Sequence, residues 1–458
     1  MPILRELAEK YNVPTPRYTS YPTVPSWIEG IDRKRWLDTF SSQFGEENHR
    51  RGISLYIHLP FCESLCIYCG CTKKITCNHS VEERYIQAVL KEWDLYLAHM
   101  PEKPVIRELH LGGGTPTFFS PERLTQLVQG ILTTASVHPD HNFSFEGHPN
   151  NTTHEHLKAL YDLGFRRVSY GIQDTNPTVQ NLIHRIQPFE NVIRAVNDAR
   201  AIGFSSVNFD LVYGLPGQDA DKMIRSIAQS LSLRPDRVAF YSYAHTPKMI
   251  PSQRLIDPQR LVSPSEKLAM YLAGKSLFTG QGYTDIGMDH FSLPTDDLYR
   301  AYKNGTLHRN FMGYTTQNSQ VLLGLGMSAI SDTGNAYAQN DKSLAGYYNA
   351  VESGQPAVNK GYFLSDEDLA FRRHILDIAC QGTTKWNNTN RAAIEQFAIP
   401  SLRSLEKDGL VSVSQERLQV TPLGRHFIRN ICKAFDLHLA RKEKATGEPV
   451  ATHFSKAI

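Results

Sequence analysis

Short runs of hydrophobic residues alternate with longer amphipathic stretches along the first half of the chain, and this alternation predicts repeated β–α units. The six predicted strands are SLYIHLPF (54–61), VIRELHL (105–111), NFSFEG (142–147), RRVSYGIQD (166–174), SVNFDLVYG (206–214) and RVAFYSYAH (237–245). Six such units, with no clear seventh or eighth, predict an α/β fold of the incomplete (β/α)6, TIM-like barrel type. An open, doubly wound sheet has the same local pattern and remains an alternative.

The pattern changes after the sixth strand. Residues 286–335 have the composition of a loop-rich region, whereas residues 364–380 and 391–410 have helical spacing and are followed by a short hairpin and a last helix. This order is typical of a winged-helix module, and we favour a packing role over DNA binding because Arg403, Lys407 and Arg417 form no dense basic stripe. The predicted domains are an N-terminal arm (1–50), a partial barrel with an extension (51–355) and a mostly helical, winged-helix-like domain (356–458).

The charge and hydrophobicity of the chain argue against several classes of partner and location. Lys plus Arg number 49 against 46 for Asp plus Glu, and a net charge of only +3 argues against nucleic acid or an anionic membrane as a partner. The N-terminus lacks the pattern of a signal peptide, and no run of about eighteen apolar residues predicts a spanning helix. We therefore expect a cytoplasmic protein and, since no heptad pattern or internal repeat is present, a monomer.

Four of the seven cysteines lie in one stretch, YIHLPFCESLCIYCGCTKK, which runs from residue 56 to 74. Chance clustering of structural cysteines is one explanation. A zinc site is another, but zinc usually needs a second ligand pair at a distance, and the remaining cysteines are isolated. An iron–sulfur cluster, which thiolates favour, is the explanation that suits the spacing best.

The spacing also indicates the kind of cluster. Cys62, Cys66 and Cys69 form C-x3-C-x2-C, and three thiolates on a four-iron cluster leave one iron without a protein ligand. Cys71 is a fourth candidate, but its C-G-C spacing makes ligation together with Cys69 strained. We therefore predict a [4Fe-4S] cluster held by the first three cysteines, with one iron open to a cofactor or substrate.

The C-x3-C-x2-C loop after a strand resembles the signature of the radical S-adenosylmethionine enzymes. The longer string YIHLPFCESLCIYCGC, and PRYTSYPT at 16–23, resemble one branch of them, the oxygen-independent coproporphyrinogen III oxidases (dehydrogenases). The resemblance extends from about residue 11 to the end. It implies that S-adenosylmethionine binds at the open iron, that the arm crosses the mouth of the barrel, and that Cys71 is required for activity without being a simple ligand.

The resemblance also implies a reaction. Two of the four propionates of coproporphyrinogen III would be decarboxylated oxidatively to vinyl groups without oxygen, giving protoporphyrinogen IX in haem biosynthesis, with a low-potential electron donor as partner. Three other hypotheses remain. They are a haem-binding or chaperone relative, a related radical methyltransferase or haem-degrading enzyme, and a nucleic-acid binder that uses the C-terminal module.

The matching site residues gather at strand ends, where barrels of this type carry their chemistry. The resemblance implies that the glycine turn binds the methionyl amino group, that four polar residues contact the methionyl and ribose parts, and that Tyr56 lies near the cofactor. The residues concerned are Gly113, Gly114, Thr115, Glu146, Gln173, Arg185 and Asp210, together with Ala244 and Ile330, which would line the adenosyl pocket.

Structural alternatives exist for these positions. A glycine run can be a plain tight turn, and Glu146 could form a salt bridge with a helix arginine such as Arg185. Tyr56, Ala244 and Ile330 could be ordinary core residues.

Two positions depart from the family's pattern. E-G-H-P-N (146–150) replaces E-V-D-P-R, so that His148 and Asn150 stand where the family has an acid and a basic residue. Met312 replaces a glutamine associated with a second S-adenosylmethionine. Methionine cannot donate that hydrogen bond, so a second cofactor is in doubt or relies on another group such as Gln317. Candidates to bind the substrate's carboxylates are Arg17, Lys73 and Lys74.

Overall fold

The structure is a computed structural model that describes residues 2–446 and 454–456. Its strands are β1 (Ile28–Glu29), β2 (Ile53–Leu59), β3 (Phe61–Cys62), β4 (Lys74–Ile75), β5 (Val105–Gly113), β6 (Ser136–Gly147), β7 (Phe165–Gln173), β8 (Ser206–Tyr213), β9 (Arg237–Ser242), β10 (Thr284–Gly287), β11 (His290–Ser292), β12 (His308–Asn310), β13 (Gly313–Thr315), β14 (Leu322–Leu325), β15 (Ile330–Asp332), β16 (Ala336–Asn340), β17 (Val358–Phe363), β18 (Thr383–Lys385), β19 (Val411–Val413) and β20 (Arg417–Val420).

The α-helices of the same residues are α1 (Pro2–Tyr11), α2 (Arg33–Arg51), α3 (Val81–Leu97), α4 (Pro121–Leu132), α5 (His154–Asp162), α6 (Pro177–Leu182), α7 (Phe189–Ile202), α8 (Ala220–Leu231), α9 (Pro264–Gly280), α10 (Asp297–Lys303), α11 (Leu344–Glu352), α12 (Asp366–Gln381), α13 (Asn388–Ala393), α14 (Ile399–Lys407), α15 (Ile428–Lys433) and α16 (Leu437–Thr446). Among the described residues, none of these helices is both long and apolar enough to cross a membrane.

One large sheet organises the molecule. Its thirteen strands lie in the order β1-β17-β16-β15-β14-β2-β5-β6-β7-β8-β9-β11-β10. All six predicted strands are present as parallel neighbours from β2 to β9, joined by helices as β–α units. The incomplete α/β barrel is therefore confirmed, and the parallel strands direct their carboxyl ends to one edge of the sheet.

The structure adds a seventh parallel strand that the sequence did not predict. Strand β14 pairs in parallel with β2 and comes from the region expected to be irregular. It is only four residues long and contains Gly324, whose Cβ position lies 2.5 Å from the backbone oxygen of Ile330 on β15. A glycine that permits this close approach weakens the hydrophobic pattern, which explains why the strand was missed.

Apolar residues at alternate strand positions pack outward against the helices and form the main core. The N-terminal region contributes to this core through α2, which Asp32 caps and which buries Trp36, Phe40 and Phe44 completely. Tyr18 inserts instead into a second core, where its hydroxyl donates a hydrogen bond to Asp436 over 3.0 Å. Residues 1–50, predicted as one arm, therefore supply both a structural helix and a segment that reaches the C-terminal unit.

The C-terminal unit has the helices and small sheet of the predicted winged-helix module. Strands β18, β20 and β19 form a three-stranded antiparallel sheet beside α12, α14 and α15, around a second hydrophobic core. Strand β17 pairs with β16 in the large sheet, and α12 follows it. The division of the chain at residues 355 and 356 remains a prediction.

A buried carboxylate joins the seventh parallel strand to the barrel. Glu92 of α3 accepts hydrogen bonds from the backbone N–H of Gly326 (2.7 Å), the amide of Asn340 (2.7 Å) and the hydroxyl of Tyr347 (2.9 Å). Burial raises the pKa of Glu92 to about 7, although the three donors oppose this shift. Three segments after β14 thus depend on a single side chain of α3.

We expect Glu92→Ala to lower the free energy of unfolding by about 3 kcal/mol, because it leaves three buried donors without an acceptor. Asp94→Ala, at an exposed position of the same helix, is the matched control and should change stability by about 0.5 kcal/mol or less. Thermal and denaturant unfolding followed by circular dichroism measure both. Equal stability of the two variants would contradict the role of Glu92.

Candidate active site

Polar residues occupy alternate positions of the parallel strands, on the face opposite the hydrophobic core. Tyr56 of β2 lies opposite His110 of β5, which lies opposite Ser144 of β6, and Glu146 lies opposite Ser169 of β7. Because side chains alternate between the two faces of a strand, these rows direct polar groups into the barrel. The barrel interior is therefore polar and supports a site at its carboxyl-terminal end.

A cavity of about 300 Å³ opens at this end. Its lining includes eleven of the fourteen site residues predicted from the sequence: Cys62, Cys66, Cys69, Cys71, Gly113, Gly114, Thr115, Glu146, Gln173, Arg185 and Asp210. The fold thus brings together residues from five different β–α units. Hereafter we call it the cluster cavity.

The cysteine loop is held against the barrel by short-range contacts. Strands β3 and β4 pair across its base, and the N–H of Lys74 donates to the carbonyl oxygen of Pro60 (2.8 Å). The ammonium of Lys73 donates to the carbonyl oxygen of Cys69 (2.8 Å), and the Thr115 hydroxyl donates to the sulfur of Cys62 (3.3 Å). The loop is therefore fixed at both its ends, and the Lys73–Cys69 contact braces it internally.

The thiols differ in their electrostatic environment. The pKa of Cys69 is lowered to about 6, chiefly by a hydrogen bond from Cys71 and also by the charge of Lys73. Burial opposes this shift. The same contact raises the pKa of Cys71. Burial raises the pKa of Cys62 to about 11. Arg185 places a guanidinium nitrogen 3.6 Å from the sulfur of Cys66.

This donor set fits an iron–sulfur cluster. Thiolates are the ligands that such clusters require, and Lys73 and Arg185 supply positive charge beside them. No group of three His, Cys, Asp or Glu side chains within residues 2–446 and 454–456 is close enough to bind a single metal ion.

The glycine turn after β5 needs glycine at successive positions. Gly113 has φ of 118°, which side chains rarely tolerate, and its N–H donates to Glu146 over 3.2 Å. At Gly114 a Cβ would lie 2.5 Å from the backbone of Pro60. The turn is thus more than a simple connection, because its backbone approaches both the cysteine loop and the cavity.

Two carboxylates in the cavity have pKa values shifted in opposite directions. Burial alone would raise the pKa of Glu146, but hydrogen bonding and charge interaction with His110, together with the Gly113 N–H, lower it below the ordinary value. Burial, followed by repulsion from Glu146, raises the pKa of Asp210 to about 7, although Ser169 donates a hydrogen bond to it (3.5 Å). Glu146 is therefore ionised at neutral pH, whereas Asp210 titrates there.

Arg185 crosses the cavity without pairing with Glu146. One guanidinium nitrogen donates to the carbonyl oxygen of Gly171 (2.5 Å), and Nε is buried with no hydrogen-bond partner in the described part of the chain. Gln173 adopts φ of 65°, a conformation rare outside glycine. A buried, unpaired arginine nitrogen and a strained residue beside it indicate a site built for a polar ligand.

Three predicted site residues do not line the cluster cavity. Tyr56 lies beneath the glycine turn, with its hydroxyl 3.1 Å from Nδ1 of His58 and its ring against Gly112. Ala244 lines a second cavity. Ile330 begins β15, beside the residue of β14 that pairs with Tyr56.

The residues that depart from the family's pattern are also located. His148 lines the cluster cavity, and burial followed by the charge of Arg185 lowers its pKa well below the ordinary value. Met312 lies in the turn between β12 and β13. Gln317 accepts a hydrogen bond from Nε of Arg107 (2.5 Å), so its amide oxygen is already engaged.

The three predicted carboxylate-binding cations are found in different places. Lys73 lines the cluster cavity, whereas Lys74 belongs to β4 and does not. Arg17 lines the second cavity, pairs with Asp289 (2.8 Å) and stacks over the ring of Tyr241 at 5.3 Å.

Sequence reasoning missed several polar residues at the site. His58 lies directly behind Gly113, His110 contacts Glu146, and Ser169 contacts Asp210. Tyr68 and Tyr241 line the cavity. The alternation of polar and apolar residues within each strand could have indicated these positions, for instance Ser54, Tyr56 and His58 in β2.

The fold and the site together define the class of protein. The family description "Radical SAM superfamily" matches residues 56–229. An oxygen-independent coproporphyrinogen III oxidase of Escherichia coli (strain K12) is 38% identical over 96% of this chain and 96% of its own. A namesake of Pseudomonas aeruginosa is 35% identical over 95% of both chains.

A solved structure agrees with these sequence comparisons. The structure titled "Coproporphyrinogen III oxidase (HemN) from Escherichia coli is a Radical SAM enzyme" superposes with a TM-score of 0.86, at 37% identity and covering 92% of this chain and 98% of its own. The chain belongs to the family of oxygen-independent coproporphyrinogen III oxidases. Members of the radical S-adenosylmethionine class use a [4Fe-4S] cluster and S-adenosylmethionine.

We expect Cys62→Ser, Cys66→Ser and Cys69→Ser each to lose most of the cluster iron, because serine is a poor substitute for a thiolate ligand. Cys71→Ser should keep its iron, as should Cys77→Ser, a control outside the cavity. Iron and sulfide analysis of anaerobically reconstituted protein measures this. If Cys71→Ser lost as much iron as Cys66→Ser, Cys71 would be a ligand.

Proposed function

We propose that this protein converts two propionate side chains of coproporphyrinogen III to vinyl groups without oxygen, giving protoporphyrinogen IX. Each propionate loses one β-hydrogen atom, which the S-adenosylmethionine-derived group would take up, together with carbon dioxide and one electron, which a one-electron acceptor must take up. The observation that carries the proposal is the 38% identity to an oxygen-independent coproporphyrinogen III oxidase over almost the full length of both chains. The cluster cavity, which contains the cysteines, the glycine turn and two carboxylates, supports the proposal.

The proposed cluster ligands are Cys62, Cys66 and Cys69, which would leave one iron open. When bound there, the cluster and S-adenosylmethionine supply the one-electron cleavage that provides a hydrogen-abstracting group. We assign the methionyl amino group to Gly113, Gly114 and Thr115. Their backbone approaches the cysteine loop closely enough to bring a ligand's amino group beside the cluster.

The carboxylates have separate proposed roles. Glu146 is held ionised by His110 and suits a cationic ammonium group, whereas Asp210 suits the hydroxyl groups of a ribose. Gln173 and Arg185 would contact the carboxylate and ribose parts, and the unpaired Nε of Arg185 is available for this purpose.

The remaining site residues act at the edges of the cavity. Tyr56 would orient the cofactor from beneath the glycine turn. We propose Cys71, whose thiol contacts Cys69, as a catalytic group that is not a ligand. Ala244 and Ile330 would line the adenosyl pocket. One S-adenosylmethionine is expected, and a second has no obvious donor because Met312 replaces a glutamine.

We also propose an electron-donating partner, a cellular compartment and an oligomeric state for the protein. A low-potential, one-electron donor is required to reduce the cluster. No disulfide joins the cysteines of the described residues, as is common in a reducing compartment, which favours the cytoplasm. We propose a monomer that binds no nucleic acid, consistent with the near-neutral charge balance.

We expect S-adenosylmethionine to bind more tightly as the pH rises through about 7, because ionisation of Asp210 gives the ribose hydroxyls a carboxylate acceptor. Asp210→Asn should weaken binding about tenfold at high pH and remove this component of the pH dependence. Anaerobic binding titrations between about pH 6 and 8 measure it, with the exposed Asp221→Asn as control. A wild-type slope retained in Asp210→Asn would contradict the assignment.

The direct test is an anaerobic assay of the reconstituted protein with coproporphyrinogen III, S-adenosylmethionine and a strong reductant. Mass spectrometry of the oxidised product should find two carboxyl groups lost per porphyrin, with 5′-deoxyadenosine formed. Deoxyadenosine without decarboxylation would overturn the proposed substrate and favour a haem-related radical enzyme. Neither product, with the cluster intact, would favour a chaperone.

A further inference from the structure

A second cavity, of about 390 Å³, adjoins the cluster cavity. The two meet at β9, where Tyr241 lines the first, and Ser242, Tyr243 and Ala244 line the second. Arg17 lines the second cavity while its guanidinium stacks over the ring of Tyr241. We call this second cavity the basic chamber.

The chamber is positively charged. Its lining includes Arg17, Lys267 and Lys456, and none of the lining residues in the described part of the chain is an aspartate or a glutamate. Burial, followed by the charges of Arg17, Arg429 and Lys456, lowers the pKa of Lys267 to about 8. The ammonium is thus mostly charged at neutral pH and lies among like charges.

Grouping these positive charges in a cavity is energetically unfavourable unless an anion neutralises them. Arg17 has one acidic partner, Asp289, outside the chamber. Lys267 donates a hydrogen bond to the carbonyl oxygen of Tyr243 (2.8 Å), and an ammonium has three N–H donors. Gly214 allows the Lys267 chain to pass, since a Cβ there would lie 2.7 Å from its Cε. The fold therefore accommodates this lysine where two further donors are available to a ligand.

We propose that the basic chamber binds propionate carboxylates of the porphyrinogen that are not reacting, with Lys267 as its central cation. This rests on the proposed function, because coproporphyrinogen III carries four propionates and only one can react in the cluster cavity at a time. The chamber holds anions beside that cavity and so orients the macrocycle. Lys267 and Lys456 are specificity-determining residues, and Arg17 is shared between the chamber and Asp289.

Binding of coproporphyrin III, the oxidised tetracarboxylate, to the anaerobically reconstituted holoenzyme tests this by fluorescence titration. We expect Lys267→Gln to weaken binding about tenfold, and Lys456→Gln about threefold. Lys248→Gln removes an exposed charge near the chamber and should leave affinity unchanged. Lys456 is also exposed, so its variant does not disturb packing and keeps the test valid if Lys267→Gln folds poorly.

Comparison with a porphyrin that carries two propionates gives the preference for the tetracarboxylate over the dicarboxylate. A general structural defect would not change this preference. Lys267→Gln should reduce the preference for the tetracarboxylate over the dicarboxylate, and Lys267→Arg should restore it. Unchanged affinity in both glutamine variants, or an equal loss for both porphyrins, would overturn the proposal. So would failure of the wild type to prefer the tetracarboxylate. Binding with this preference but without decarboxylation would support the chamber and contradict only the proposed reaction.

Discussion

The contact between the glycine turn after β5 and the backbone at Pro60 and Phe61 fixes the position of the cysteine loop. The N–H of Gly114 donates to the carbonyl oxygen of Leu59 (2.8 Å), and the N–H of Thr115 donates to that of Phe61 (2.9 Å). Because a Cβ at Gly114 would lie 2.5 Å from Pro60, only glycine allows the two segments to meet. The cysteine loop and the glycine turn therefore form one continuous edge of the cavity.

The interior of the barrel is lined by polar side chains. Apolar side chains on one face of each strand pack against the helices, and the other face carries groups such as His110, Arg167 and Asp210. Buried polar groups are costly unless paired, and many pair across strands, as His110 does with Ser144 (2.8 Å). Arg185, whose Nε is left without a partner among the described residues, lies in the cavity where a ligand can complete it. Stability and ligand binding thus draw on the same rows of side chains.

Much of this arrangement could be predicted from the sequence. Six hydrophobic runs predicted the six strands. The cysteine spacing and the family resemblance predicted eleven residues that line one cavity, where parallel strands bring their carboxyl ends together. Strand β14 was missed because Gly324 interrupts a short run, and the opposite pKa shifts of Glu146 and Asp210 depend on neighbours distant in sequence. The charge of the basic chamber could not be foreseen, since Arg17, Lys267 and Lys456 are far apart in the sequence.

The central claim is that three cysteines of one loop leave an open iron facing the cavity. Electron paramagnetic resonance of the reduced cluster, recorded with and without S-adenosylmethionine, tests it most directly. We predict that the cofactor changes the spectrum of the wild type, and equally that of Cys71→Ser, because the open iron gains a ligand in both. An unchanged wild-type spectrum under saturating cofactor would mean that no iron is open, and would contradict the account.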